Sequence, residues 1–203
     1  MKRSNFRKYV THVKEQKQVS IEDYYIEKDY FLSLFLSTWQ KFKEEKKTPN
    51  LDILIFKGGT LLGRNILQYY RISEDLDFTY GGSNDLRVIK NKGKRETEIR
   101  KCVMPIIDEI KLICDAVKFD FETDRTNVRY IAVRNSRAVY IFNMYYVSLI
   151  TGKKIPIKFE INFLEHMMYN CPEMTINNIV DCDLYLKSIG YDLVNSVMKT
   201  YSL

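Results

Sequence analysis

The stretch LDILIFKGGTLLGRNILQYYRISEDLDFTY, residues 51–80, constrains the fold more than any other part of the chain. LDILIF (51–56) is a short, β-branched apolar run and reads as a buried strand. Gly58-Gly59 breaks it, and TLLGRNILQYY continues with helical periodicity. From Ser73 to Tyr80 the pattern alternates, with Asp75 and Asp77 on one face and Leu76 and Phe78 on the other, which is a second strand. Gly81-Gly82-Ser83-Asn84 closes it. Strand, glycine turn, helix and strand in so short a span commit this region to a sheet with a helix packed beside it.

The remainder follows the same reading. Residues 20–46 predict a helix capped by Ser20, with apolar Tyr24, Ile26, Phe31, Leu34 and Phe35 at helical spacing. A helix is expected over 96–116, broken or kinked at Pro105. Strands are expected at VKFDFET (117–123), NVRYIAV (127–133), RAVYIFNMYYVSL (137–149) and IPIKFEINF (155–163), with turns at Asn135-Ser136 and Thr151-Gly152-Lys153. The tail from about 175 reads as helical. This order predicts an α+β fold with a mixed β-sheet, flanking helices and a short helical C-terminal tail, not a doubly wound βαβ repeat. The main domain spans 1–170 and the tail 171–203.

At 203 residues, 45% hydrophobic and 29% charged, the chain has the make-up of a globular domain with room for one sizeable core. No apolar run approaches the ~18 residues that span a bilayer. The basic N-terminus MKRSNFRKYV lacks the apolar stretch of a secretory signal, so a cytoplasmic protein without membrane attachment is expected. Cys102, Cys114, Cys171 and Cys182 show no C-x-x-C spacing, which argues for reduced, mostly buried thiols and against zinc. His12 and His166 are too far apart in sequence to suggest a histidine metal site. The net charge of +6 tolerates anionic partners without requiring them. Its densest basic run, Arg87–Lys101, reads as a solvated loop and helix start in preference to an RNA contact.

The chemistry lies at the glycines and the acids. A turn between strand and helix leaves backbone N–H groups aimed outward, and glycine there lets a phosphate approach closely. Thr60 adds a hydroxyl and Lys57 a cation. Gly58 to Gly63 satisfies G-x-x-x-x-G, but Arg64-Asn65 replaces the Lys-Ser/Thr of a P-loop, so that reading fails. Asp75 and Asp77 share a strand face and repel unless a cation sits between them. Magnesium, hard and oxygen-seeking, suits two carboxylates plus substrate phosphates. In IPIKFEINF, Lys158, Glu160 and Asn162 oppose the apolar face, and Glu160 is the only acid on that strand. Set beside the Asp75–Asp77 strand, Glu160 completes a carboxylate trio able to hold two metal ions for phosphoryl or nucleotidyl transfer.

A Gly-Gly-Ser/Thr turn, a helix and then D-x-D is similar to the nucleotidyltransferase superfamily that includes DNA polymerase β. IEKDYFLSLFL (26–36), FKGGTLL (56–62), RISEDLDF (71–78) and IKFEINF (157–163) together resemble the AbiEii/AbiGii-type nucleotidyltransferase toxins, including the MenT toxins. The resemblance covers roughly residues 24–165. It implies that Gly58, Gly59 and Thr60 cradle a triphosphate, with Lys57, Arg64 or Arg71 offsetting its charge. Ser73 would bond a phosphate oxygen or orient the carboxylates, and Asp75, Asp77 and Glu160 would be the catalytic magnesium ligands. Lys28 and Asp29 match the family's early helix. The implied substrate is an NTP, the acceptor an RNA end (tRNA-like) or a protein hydroxyl, and the partner an antitoxin protein. Longer family members carry a lysine and an Arg-Asp-x-x-Asp-type pattern in a helical region. The tail here, with Asp181, Asp183 and Lys187, departs from it, so weak selection among NTPs is expected. The alternative is a non-catalytic module of the same fold that binds nucleotide, RNA or a partner.

Overall fold

The computed structural model describes residues 1–17, 21–67, 75–83, 85–166 and 171–201. Helices α1 (Arg3–Lys17) and α2 (Asp23–Glu44) precede strand β1 (Leu54–Lys57). The short helix α3 (Gly58–Leu61) follows and continues as a wider π-type turn over Leu62–Ile66. Then come β2 (Asp75–Tyr80), α4 (Lys92–Val117), β3 (Ile131–Arg134), β4 (Val139–Val147), β5 (Lys154–Asn162), β6 (Glu173–Ile176), α5 (Leu184–Ser188) and β7 (Ser196–Thr200).

The strands form one seven-stranded mixed sheet in the order β3-β4-β5-β2-β1-β7-β6. The pairs β2–β5 and β1–β7 are parallel and the others antiparallel. Strands β2 and β5 alternate through most of their length, and one face of the sheet is apolar. Phe142 lies opposite Phe159, Leu76 opposite Phe159, and Phe56 opposite Phe78, all fully buried. Helix α2 covers this face: the Trp39 ring is 5.5 Å from Phe78 and Phe35 is 6.0 Å from Phe159. Burying such rings, at about 1.5–3 kcal/mol for each large apolar side chain, locks the register of the sheet.

Two buried carboxylates tie helices to loops. Glu27 of α2 accepts from the Ser148 hydroxyl at 2.8 Å and the Ile150 amide at 3.0 Å, fixing the turn between β4 and β5. Glu109 of α4 accepts from the amides of Asn50 (3.1 Å) and Leu51 (2.7 Å), fixing the approach to β1.

Several expectations change. Helix α2 begins at Asp23, and the expected cap Ser20 lies outside the described residues. Helix α4 runs through Pro105, carried by a buried stripe that includes Ile99, Val103, Ile106 and Ile110. That burial outweighs the ~3 kcal/mol cost of an interior proline. Residues 117–123 form no strand. Lys118 closes α4 in the left-handed conformation (φ 62°), and only Asp120 bridges to Tyr145. The tail is not helical: β6 and β7 extend the sheet, with only the short α5 between them. Strand β7 (Ser196–Thr200) is too short for its period to be read locally, and parallel pairing of β7 with β1 decides its state. Among the described residues, no helix is long and apolar enough to cross a membrane.

Candidate active site

The face of the sheet opposite the aromatic core carries the charge. Asp75 and Asp77 stand on β2 and point away from Leu76 and Phe78, as strand alternation requires. The parallel register of β2 with β5 sets Asp77 directly beside Glu160, and Asp75 beside Lys158. The antiparallel register with β1 sets Lys57 beside Asp77. Three carboxylates, with Lys57 and Lys158 beside them, therefore share one face of three adjacent central strands.

The glycine turn abuts this cluster. Gly58 has φ +78°, and a Cβ there would collide with the Asp77 carboxylate. Glycine answers both demands, the left-handed backbone and the close approach. Gly59 is exposed beside it. Thr60 is buried, and its hydroxyl donates to the backbone carbonyl of Asp75, so it fastens the turn to the acid strand.

The charges are unevenly neutralised. Burial, then the negative charges of Asp75 and Glu160, push the Asp77 carboxyl above its ordinary value, with Lys158 and Lys57 opposing. The Lys158 ammonium lies 3.0 Å from Glu160 Oε2 and 3.5 Å from Asp75 Oδ2. Partial burial pulls Lys158 down, but its contacts with Glu160 and Asp75 carry it above the usual lysine range. Lys57 is engaged elsewhere: its ammonium pairs with Glu165, whose Oε2 also accepts from the Thr79 hydroxyl at 2.6 Å. Tyr201 in turn donates to Thr79 at 3.1 Å. Among the described residues, no group of three or more His, Cys, Asp or Glu is arranged as a metal cage, and the cation between Asp75 and Glu160 is Lys158.

Several residues assigned to the site from the sequence have other partners in the structure. Arg64 is not aimed at the glycine turn. Its guanidinium is buried in an ion pair with Asp29 (2.7 Å) and donates to the Ser33 hydroxyl at 3.0 Å. Desolvation drives this: the long arm of Arg64 reaches the interior, where Asp29 needs a cation. Burial pushes the Asp29 carboxyl up, against the pull of Arg64 and Ser33. Asp29 therefore braces α2 against the segment after α3. Thr60 is turned to Asp75 for the reason given above, and Lys57 to Glu165. Lys28, next to Asp29, is buried. Arg71 and Ser73 lie outside the described residues. Sequence reasoning missed two participants. Lys158 was on the correct face by its parity with Glu160, yet no role attached to it. Glu165 had no periodic signal, because it follows the end of β5.

The mixed α/β architecture, with a glycine turn and carboxylates on adjacent central strands, is that of a nucleotidyltransferase domain. The family model for the nucleotidyl transferase AbiEii toxin, type IV toxin–antitoxin system, matches residues 44–203, and the chain belongs to this family. It is a nucleotidyltransferase-type toxin of a toxin–antitoxin system. The match includes the tail and begins at Glu44, the last residue of α2, so the Glu-Lys-Asp-Tyr segment at 27–30 lies outside it. Comparison with curated proteins and with solved structures gives no match.

Proposed function

We propose that this protein is a magnesium-dependent nucleotidyltransferase that moves an NMP from an NTP to a hydroxyl on an RNA end or a protein side chain. The observation that carries this reading is the register Lys57–Asp77–Glu160 across three central strands, with Gly58 against Asp77. The donor set fits a hard dication: every candidate ligand is a carboxylate oxygen, and burial, then the charges of Asp75 and Glu160, raise the Asp77 carboxyl. Asp75, Asp77 and Glu160 would hold the ion. When bound, magnesium supplies positive charge to the triphosphate oxygens and the leaving pyrophosphate.

The chain's own groups then do the positioning. The open turn at Gly58-Gly59 admits the triphosphate close to the backbone. Lys57 exchanges Glu165 for a phosphate oxygen, a charge-assisted contact of the same kind. Thr60 holds the turn in register with Asp75. The acceptor hydroxyl bonds to the α-phosphorus, the bond to the bridging oxygen breaks, and pyrophosphate leaves with the electron pair while the proton passes to solvent. Membership of a toxin–antitoxin family supports the reading of a cytoplasmic protein with an antitoxin partner.

Calorimetry tests the site. The wild-type protein should bind NTP only with magnesium, and Asp75→Asn with Asp77→Asn should abolish that binding while the fold persists. Unchanged affinity in the double variant would remove the carboxylates from the site. Binding without any transfer would favour the rival reading, a non-catalytic nucleotide-binding module.

A further inference from the structure

We propose that Lys158 is the resident counter-ion of the carboxylate cluster and makes metal entry depend on nucleotide. This rests on the reading that Asp75, Asp77 and Glu160 hold the metal. The ammonium of Lys158 contacts Glu160 at 3.0 Å and Asp75 at 3.5 Å, bridging acids from two strands. Its backbone is held in place, since β5 is paired on both sides and Lys158 lies between Asn143 of β4 and Asp75 of β2. Lys57, beside Asp77 on β1, is occupied by Glu165. Lys158 is thus the cation placed among the acids before any metal arrives.

The consequence is a competition. A divalent ion arriving alone must share the carboxylates with an ammonium a few ångström away, and like charges at that distance repel. A triphosphate changes the balance, because its oxygens offer the ammonium a partner of the same sign as the carboxylates it leaves. Metal and nucleotide then bind with positive coupling, and by linkage each raises the affinity of the other equally. A site built this way stays closed to free metal and opens to the metal–nucleotide pair.

The experiment uses the full chain and free Mn²⁺, followed by electron paramagnetic resonance, with and without an α,β-methylene NTP that cannot transfer its nucleotide. The wild type should bind Mn²⁺ weakly alone and more tightly with the analogue. Lys158→Met should bind Mn²⁺ alone about tenfold more tightly, and the gain from the analogue should shrink by a similar factor. Lys158→Arg, which keeps the charge, should resemble the wild type. Should the methionine variant fail to fold, Lys158→Gln repeats the measurement with a polar end retained. If the wild type binds Mn²⁺ with nucleotide but neutralising Lys158 leaves Mn²⁺ affinity unchanged or weaker, the counter-ion role is wrong and the metal site stands. If the wild type binds no Mn²⁺ in either condition, the metal site itself is wrong, and the role of Lys158 falls with it.

Discussion

Gly58 shows how one residue joins the two halves of the site. Its φ of +78° and the absent Cβ bring the turn against Asp77. Gly58→Ala must either strain the backbone or push the carboxylate aside, at a cost of about 1–2 kcal/mol. It should lower magnesium-dependent NTP affinity at least about tenfold, as calorimetry would show; an alanine variant with wild-type affinity would mean the contact is incidental. Asp77 carries the complementary prediction. Its carboxyl is raised above 3.8, so the folded chain keeps a proton that the unfolded chain releases. The resulting penalty is absent below the unfolded value, grows as pH rises toward the folded value, and is full above it. Asp77→Asn should therefore raise the metal-free melting temperature at pH 7, with a gain that fades as pH falls toward 4. Solvent reaches this group, which keeps the effect at or below about 1 kcal/mol. Equal melting temperatures at both pH values would mean that burial and the neighbouring acids do not raise the Asp77 carboxyl.

Segments differ in how openly they declare themselves. The parity of DLDF and of IKFEINF was legible, because alternation between apolar and charged residues survives any packing. What alternation cannot tell is which partner a long side chain will choose. Lys57 and Arg64 looked like free cations near the turn, yet Glu165 and Asp29 hold them. Likewise β7 could not be read, since its state depends on β1, more than a hundred residues earlier. The Asp29–Arg64 pair, with both side chains 2% exposed, braces α2 against the segment that follows α3. Removing one partner leaves a buried charge, so Arg64→Met should cost about 3–5 kcal/mol in denaturant unfolding. Adding Asp29→Leu should recover most of that loss. If the double variant is no better than the single, the pair is not the reason for the loss.

At the level of the whole chain, the sheet puts the acids, both lysines and the glycine turn at its centre, while the tail adds its strands beyond β1. The turn and the carboxylates address only a triphosphate, so discrimination among the four NTPs should be weak. A preference on the order of a hundredfold for one base would reveal a base pocket within this chain. The central claim is transfer of the nucleotidyl group, and label position tests it most directly. The protein is incubated with magnesium, total RNA and each NTP labelled at either the α- or the γ-phosphate. The predicted result is α-label carried covalently onto RNA or protein, with γ-label released as pyrophosphate, and neither event in the Asp75→Asn, Asp77→Asn variant. Label transfer from the γ-position, or α-transfer that survives the loss of both aspartates, would contradict it.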